Sequence, residues 1–520
     1  MSPAALLERA EAAFAAGDLV DARNGLEQAL AAAADDPALR AQVLNDLAVL
    51  AATEGGDAEP LLLAALADDP GYGPALENLG DACVAGGDLV QASHWLARAA
   101  QAAPTDDRIA ATLAQVTHVR RRDLVVADEP AGALPGSGRV LIVVDYFHPS
   151  VGGSERLAEA AGIALQALGL EVDVATRALS GRGVLEHRGM RVHEIDRDVR
   201  ARLAQVVDRG GYDALAIFSA PTAWPMVASL QLDRPRPRVV VVPCINADNA
   251  AELRADAGLL EAYARLLATA DVVGISSYAG YDARLSADLG LTGVYLPNAI
   301  EAVRAAPRSF DPGPGAPVLL AVGNLWPEKD HAGLLRTLRD HPGDWRLIVI
   351  GAEAGQMPAV AEEVRRLAVE DPRVTLWGPA DPDVVAAAMD AADALLLPSR
   401  AEATPLVLLE AMSRELPWIA TPTCGSAHDH AGGLIVPLRL FGEAIDFLAR
   451  DDAARHDLGA AGRAHWQASY TWKVMGQRYA RVLFGATPGE LAPPPVAIAT
   501  TDLVRARFYD ARPRPAAREA

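Results

Sequence analysis

Two glutamates, Glu402 and Glu410, lie on either side of the start of a predicted helix. The segment from Leu395 to Met412 has the pattern of a strand, a loop and a helix. Thr404 is a good N-cap and Pro405 a good first helical residue, which predicts Glu402 in the loop and Glu410 about one and a half turns inside the helix. An unpaired buried carboxylate is costly, so each should accept hydrogen bonds, and sugar or ribose hydroxyls are suitable donors. Glutamates at this spacing are also common on protein surfaces.

One lysine, Lys329, stands at another strand-to-helix junction, in the segment 323–331, GNLWPEKDH. The chain has only two lysines, Lys329 and Lys473, and its other 45 basic side chains are arginines. A compact, flexible ammonium group at this junction suits phosphate binding. A solvent-exposed lysine with no such role is the alternative.

A glycine pair, Gly152-Gly153, separates the first strand of this region from a helical pattern that starts at Arg156. Glycine lets the backbone approach a ligand closely, and a helix N-terminus offers N–H groups to an anion. The pattern is neither the dinucleotide fingerprint nor a P-loop, which disfavours a dehydrogenase or a kinase. His148, beside this loop and before a proline, is a candidate site residue or a structural cap.

The elements that position these residues are alternating β-branched runs and helical patterns. The runs are RVLIVVDYF, EVDVATR, DALAIFS, RVVVVPCI and DVVGISS, then PVLLAVGN, WRLIVIG, RVTLWG and ADALLLPS after a proline-glycine stretch from Pro307 to Pro317. Such alternation is typical of parallel sheets covered by helices. It predicts two doubly wound α/β domains.

The first 118 residues have a helical pattern that Pro37, Pro70 and Pro104 punctuate at intervals of 33 and 34 residues. This period indicates helical repeats, and the small residues Gly80 and Ala92 would let paired helices pack closely. The segment resembles the tetratricopeptide (TPR) repeat family; an ordinary helical bundle is the alternative. It carries 18 acidic and 5 basic side chains, so its groove could recruit a basic protein or peptide. Solvated helix faces explain the same charge.

The four motifs of the later region occur together in one family. Residues 139 to about 485 resemble the GT-B glycosyltransferases of family 4, in the Gly-Gly loop, the segment Pro297-Asn298-Ala299-Ile300, the G-x-L-x-x-x-K junction and the E-x7-E motif. The resemblance implies two Rossmann-like domains facing each other across a cleft. It also implies a last helix, from Trp472 to Phe484, that crosses back to the first domain.

The resemblance assigns roles to the candidate residues. Lys329 would hold the diphosphate of a nucleotide sugar and Glu402 would contact the donor sugar, and these two are the candidate catalytic residues. Glu410 would bind the ribose. The full donor-binding set is Gly152, Gly153, Asn324, Lys329, Glu402, Thr404, Leu406, Val407 and Glu410, and the acceptor-side set is His148, Asn246 and Asp248.

The chain departs from the family pattern at two places. Asn324 stands where family members often have an arginine that adds a second positive charge at the diphosphate. The loop after DALAIFS, at Ser219-Ala220-Pro221-Thr222, lacks the histidine that is often found there. These departures keep open a second hypothesis, a non-catalytic TPR scaffold with a degenerate transferase domain.

The resulting expectation is a cytoplasmic retaining hexosyltransferase that uses a nucleotide-diphosphate sugar and needs no metal or other cofactor. Its acceptor hydroxyl could belong to a protein bound by the TPR repeats. A net charge of −21 disfavours nucleic acid as a partner, and we expect no membrane span. The expected domains are 1–118 (TPR-like repeats), 119–138 (linker), 139–306 and 307–470 (the two GT-B domains), 471–485 (crossover helix) and 486–520 (disordered tail).

Overall fold

The computed structural model describes most of the 520-residue chain. The described residues are 1–34, 36–85, 89–121, 134–150, 152–183, 185–221, 223–233, 235–245, 247–278, 280–289, 291, 293–301, 310, 312, 315–353, 355, 357–485 and 495–511. They form two compact units, one of Met1–Arg122 with Ala506–Ala520 and the other of Asp123–Arg505.

The first unit is built from consecutive helices packed as antiparallel pairs. They are α1 (Pro3–Ala15), α2 (Leu19–Ala32), α3 (Pro37–Thr53), α4 (Glu59–Asp68), α5 (Gly73–Ala85), α6 (Leu89–Ala102) and α7 (Asp107–Arg121). Gly80 lets α5 approach α6, because a Cβ atom there would lie 2.6 Å from Cγ of Leu96. Since α7 runs to Arg121, the helical region extends beyond residue 118. Of the expected linker, residues 122–133 lie outside the described residues.

The second unit begins with a Rossmann-like domain. Its strands are β1 (Arg139–Val144), β2 (Glu171–Arg177), β3 (Glu186–His187), β4 (Met190–Ile195), β5 (Ala214–Ser219), β6 (Arg238–Pro243), β7 (Val272–Ile275) and β8 (Gly293–Tyr295). Its helices are α8 (Gly153–Gln166), α9 (Val199–Gly210), α10 (Trp224–Leu230), α11 (Ala247–Ala255), α12 (Ala257–Leu267) and α13 (Tyr281–Asp288). The strand order is β3-β4-β2-β1-β5-β6-β7-β8, parallel except for the β3–β4 hairpin.

A second Rossmann-like domain follows. Its strands are β9 (Val318–Val322), β10 (Arg346–Ile350), β11 (Val374–Gly378), β12 (Ala394–Leu397), β13 (Trp418–Ala420) and β14 (Gly433–Ile435), in the order β11-β10-β9-β12-β13-β14. Its helices are α14 (His331–Arg339), α15 (Pro358–Glu370), α16 (Pro382–Ala391), α17 (Leu406–Met412), α18 (Phe441–Arg450) and α19 (Asp452–Ser469). Its paired strands are parallel throughout, as the apolar runs predict.

The next helix, α20 (Trp472–Leu483), lies against the first Rossmann-like domain. Met475, Tyr479 and Val482 are buried in the core that contains β1 and α8. Gly476 permits this approach, because a Cβ atom there would lie 2.6 Å from the carbonyl oxygen of Ala164. This is the segment that the sequence predicts as the crossover helix.

The expectation of a disordered tail is wrong over Pro495–Ala511, which form helix α21. In the second unit, Thr501 Oγ1 accepts a hydrogen bond from the backbone N–H of Gly432 at 3.1 Å, and Arg505 Nε donates to the carbonyl of Gly433 at 2.8 Å. Buried hydrogen bonds of this kind hold a helix that propensity alone would leave marginal. Residues 486–494 and 512–520 lie outside the described residues. No helix in the described part of the chain has the length and apolarity needed to cross a membrane.

Candidate active site

Lys329 and Glu402 meet as an ion pair. Lys329 ends a short 3-10 helix, Pro327–Lys329, and its Nζ contacts Oε1 of Glu402. Ser399 Oγ donates to the same carboxylate oxygen at 2.9 Å. The Glu402 side chain is only 10% exposed and that of Lys329 28% exposed. Because an ammonium group has three donors, Lys329 can keep Glu402 as a partner and still donate to an anion.

The two loops that carry this pair are joined by further contacts. The backbone N–H of Arg400 donates to the carbonyl of Glu328 at 2.7 Å. The Arg400 side chain donates to Oδ1 of Asp330 at 2.8 Å. Asp330 also caps α14 by accepting from the backbone N–H of Gly333 at 3.2 Å. These contacts fix Lys329 relative to Glu402.

The pair lies in a cavity between the two Rossmann-like domains, here called the lysine cavity. Its volume is about 380 Å³. The first domain supplies Gly153, at the start of α8, and Cys244, after β6. Of the predicted donor-binding residues, it is lined by Gly153, Lys329, Glu402, Thr404 and Leu406.

A second cavity in the same cleft, here called the glutamate cavity, has a volume of about 290 Å³. It is lined by Glu410 and Asn324, together with Arg156 and Arg414. Burial raises the pKa of Glu410, and the charges of Arg156 and Arg414 offset part of that rise. The Glu410 carboxylate makes no hydrogen bond within the described residues, so its oxygens can accept hydrogen bonds from a ligand.

Two strand ends cross closely at the wall of the glutamate cavity. A Cβ atom on Gly351 would lie 1.9 Å from the carbonyl oxygen of Gly323, so only glycine fits there. His331 Nε2 lies 3.0 Å from the same oxygen, and burial lowers the pKa of His331 to about 4. The neutral ring therefore donates to that carbonyl. Asn324 Oδ1 accepts from the backbone N–H of Ala352 at 3.2 Å, so its side chain helps to fix this wall.

Thr404 does not cap α17. Pro405 is the N-cap residue and the helix begins at Leu406, one residue later than expected. The hydroxyl of Thr404 instead accepts from Nδ2 of Asn298 at 2.5 Å. Proline fixes its own φ near the value used here, and the side chain of Asn298 competes for the hydroxyl that would cap the helix.

Three other predicted site residues, His148, Gly152 and Val407, lie outside the walls of the two cavities. His148 stacks on His187 with 3.9 Å between ring centroids. Gly152 precedes α8, and Val407 lies on its own helix beside Leu406. Asn246 lies outside the described residues, as does the side chain of Asp248 in α11.

The segment His428-Asp429-His430 does not form a cluster of three ligands. His428 Nε2 bonds the carbonyl of Pro422 at 2.8 Å, whereas Asp429 Oδ2 accepts from the backbone N–H of Tyr278 at 3.0 Å. Across the described residues, no group of three His, Cys, Asp or Glu side chains could hold a metal ion. That the reaction needs no metal remains a prediction.

Sequence reasoning missed Arg156 and Arg400. Arg156 lies in the first turn of α8 and presents an exposed guanidinium to the glutamate cavity. Its position directly after the Gly-Gly loop was the available signal. Arg400 lies two residues before Glu402. Its hydrogen bond to Asp330 joins residues 70 positions apart, so no local sequence pattern indicates it.

Two Rossmann-like domains that face each other across a cleft, with a late helix returning to the first, define the GT-B fold. Residues 316–451 match the family model described as glycosyl transferases group 1, and residues 49–116 match the tetratricopeptide repeat. The chain thus carries a segment that matches the TPR repeat and a later segment that matches a glycosyltransferase group 1 domain.

The chain is similar to curated glycosyltransferases and to solved structures, of which the following one relative and two structures are examples. The D-inositol 3-phosphate glycosyltransferase of Corynebacterium diphtheriae is 29% identical over 31% of this chain, and the match spans 40% of the length of that relative. HepE of Anabaena, in complex with UDP, superimposes with a TM-score of 0.55 at 17% identity over 66% of this chain and 99% of its own. Sucrose-phosphate synthase of Thermosynechococcus elongatus gives 0.54 at 20% identity over 66% and 98%. At such identities the structures establish the fold.

Proposed function

We propose that this protein is a retaining glycosyltransferase that moves a hexosyl group from a nucleotide-diphosphate sugar to an acceptor hydroxyl. The observation that carries the proposal is the Lys329–Glu402 pair in one cavity beside the half-buried Glu410 carboxylate in another. The diphosphate would lie near Lys329 and the ribose against Glu410. The UDP bound to the similarly folded HepE supports a nucleotide sugar as the donor class.

The reaction breaks the bond between the anomeric carbon and the diphosphate oxygen, and the electron pair leaves with that oxygen. The acceptor oxygen forms its new bond on the same face of the sugar, and its proton passes to the departing phosphate. Negative charge develops at the diphosphate, where Lys329 is held in place before the reaction begins. Fixed donors at such a position lower the barrier.

The charge at the diphosphate does not have to come from residue 324. Arg156 lines the glutamate cavity that Asn324 also lines, so a guanidinium group is present there without the usual arginine. Arg414 lines the same cavity but is paired with Asp390 at 2.5 Å. Lys329 remains in place, with Glu402 and Ser399 ordered around it. This arrangement favours an enzyme over a degenerate scaffold. A metal ion is not part of the proposed chemistry.

We also propose that the acceptor is a protein with a basic segment, bound by the TPR unit. Burial raises the pKa of Asp46 to about 6, and the nearby charge of Glu11 adds to the rise. Burial and the charge of Glu77 likewise raise the pKa of Asp81, and the charge of Arg108 offsets part of that rise. Crowded carboxylates on α3 and α5 would be relieved by a cationic partner. Sugar transfer to lysate proteins should fall in the D46N/D81N variant but not in an E8Q/E27Q control.

Hydrolysis of candidate donors, followed by NMR, tests the enzymatic proposal. The protein should release the sugar slowly from one of the UDP or GDP sugars, and the first anomer to appear should have the configuration of the donor. Release of the opposite anomer would refute retention. If every donor stays intact and none binds to folded protein, the scaffold hypothesis takes its place.

A further inference from the structure

A third cavity lies on the first Rossmann-like domain, beside β4 and α9. Its volume is about 540 Å³, within the range of roughly 300 to 1,000 Å³ that is usual for small-molecule sites. It shares no wall with the lysine cavity or the glutamate cavity. We call it the arginine cavity, because Arg139, Arg191, Arg202 and Arg209 all line it.

The two acidic side chains in its wall are already paired. Glu194 lies 3.1 Å from Nη1 of Arg182, and Asp173 lies 3.4 Å from Nη2 of Arg139. No such partner is found, within the described residues, for the other three arginines. Arg202 donates only to the neutral Oε1 of Gln205, at 3.4 Å. An excess of positive charge therefore faces this cavity in a chain whose net charge is −21.

The floor of the arginine cavity is a fixed polar network. The hydroxyl of Tyr212 donates to Oδ2 of Asp173 at 2.6 Å and lies 3.2 Å from Nε2 of His193. Although burial opposes ionisation, hydrogen bonds from His193 and Tyr212 lower the pKa of Asp173. Tyr212 is also stacked under the guanidinium of Arg139, at 5.1 Å. This rigid floor offers hydrogen-bonding groups to a polyol while the arginines face the solvent side.

We infer that the arginine cavity binds a phosphorylated polyhydroxy compound. Guanidinium groups bind phosphate oxygens in a planar, two-point geometry, and Arg191, Arg202 and Arg209 are exposed and available for it. Hydroxyls of the ligand would reach His193 and Asp173 at the floor. A soluble sugar phosphate and a phosphorylated inositol lipid headgroup share this chemistry. The inference does not depend on the donor reaction, because the cleft is lined by other residues.

Calorimetric titration of the full chain with glucose 6-phosphate, and with glucose as the uncharged counterpart, tests the inference. The phosphate ester should bind and glucose should not, and added NaCl should weaken the binding because it screens the arginines. The R191Q/R202Q variant should bind at least about tenfold more weakly, since two charge-assisted contacts are lost. Both arginines are exposed, so the variant should keep the melting temperature of the wild type.

Two control variants separate this site from the cleft. R197Q/R200Q removes the same charge from the adjoining loop and helix start, outside the cavity wall, and should bind like the wild type. Lys329→Ala should also leave glucose 6-phosphate binding unchanged. If Lys329→Ala abolishes that binding and R191Q/R202Q does not, the ester occupies the donor site and the inference fails.

Vesicles distinguish the two sources of the phosphate. The test is whether the protein sediments with phosphatidylcholine vesicles only when they contain phosphatidylinositol 4-phosphate. If R191Q/R202Q abolishes this sedimentation, the ligand of the arginine cavity is a lipid headgroup. Binding of glucose 6-phosphate without vesicle binding would assign it to a soluble ester. If neither probe binds, or if both bind R191Q/R202Q as well as the wild type, the inference is overturned.

Discussion

The amide of Asn298 donates to the hydroxyl of Thr404 at 2.5 Å and to the Thr404 carbonyl at 3.3 Å. Asn298 follows the last strand of the first Rossmann-like domain, whereas Thr404 precedes α17 in the second. Both residues line the lysine cavity. The contact therefore joins the segment between the domains to the loop that carries Glu402.

Replacing Thr404 by valine should slow donor hydrolysis about tenfold. The variant keeps the shape of the side chain but removes the hydroxyl, so Asn298 keeps only the longer hydrogen bond to the Thr404 carbonyl. Loss of one hydrogen bond of this kind costs about 1 kcal/mol. The Glu402 loop would then be less well positioned. Steady-state kinetics checks this, with Thr404→Ser as the matched variant that should restore the rate. Equal rates for the valine and serine variants would contradict the role of the hydroxyl.

Glu410→Gln should weaken nucleotide binding and raise the stability of the unliganded protein. Because burial raises the pKa of Glu410, ionising it opposes folding above its ordinary pKa, and the neutral amide removes this cost. The same amide is a poorer acceptor for ribose hydroxyls. Calorimetry and thermal melting at pH 7 measure the two effects. A variant that binds normally would remove Glu410 from the site.

The raised pKa of Glu410 also predicts how nucleotide binding by the wild type depends on pH. The ionised carboxylate is the stronger acceptor, because protonation turns one of its oxygens into a donor, so nucleotide affinity should fall as the pH drops through the raised pKa of Glu410. This loss should begin at a higher pH than for an ordinary glutamate. In Glu410→Gln the dependence should disappear. Titrations at several pH values test this, and an unchanged profile in the variant would assign the dependence to another group.

Gly153→Ala should fold normally and yet impair the site. A Cβ atom on Gly153 would meet no protein atom within 4 Å, while Gly153 lines the lysine cavity, so the new methyl group would occupy only ligand space. We expect unchanged melting and at least about tenfold slower donor hydrolysis, the loss of about 1.4 kcal/mol of transition-state stabilisation. Gly183→Ala, which also meets no atom within 4 Å, is the matched control. A fully active Gly153→Ala enzyme would show that no ligand approaches this backbone.

Acid should destabilise the second unit through His331. Its pKa is about 4 in the folded protein against 6.5 ordinarily, so the unfolded chain takes up a proton first as the pH falls from 6.5 towards 4. At 1.36 kcal/mol per pKa unit, the loss is at most about 3 kcal/mol. His331→Gln should reduce this slope in urea unfolding, whereas exposed His456→Gln should leave it unchanged. Part of the slope should remain, because burial also lowers the pKa values of His430 and His465. If the free energy of unfolding depends on pH equally in the two variants, His331 is not the cause of the acid destabilisation.

The sequence predicted the parallel strands well where they are buried on both faces. RVLIVVDYF and PVLLAVGN became β1 and β9, because uninterrupted β-branched runs have few alternatives. The β3–β4 hairpin was not predicted, since β3 has only two residues and Met190–Ile195 is a short segment that carries three charged or polar side chains. The arginine cavity lies beside this strand and was missed with it.

The sequence offered candidate site residues where one short motif carried the chemistry, and it offered none of the contacts that join distant segments. Lys329 and Glu402 come from separate motifs, and the family resemblance was needed to bring them together. The Asn298–Thr404 contact spans 106 residues and changed the expected helix cap. The helix Pro495–Ala511 was missed because its polar anchors, Thr501 and Arg505, look like surface residues in the sequence.

The central claim is that Lys329 holds the diphosphate of a nucleotide sugar. Calorimetric titration of the protein with UDP, GDP and their common sugar conjugates tests it most directly, beside Lys329→Ala and the exposed control Lys473→Ala, which alters the only other lysine. We predict micromolar binding of one nucleotide, lost in Lys329→Ala and retained in Lys473→Ala. Equal binding by both lysine variants, or none by the folded wild type, would contradict the assignment.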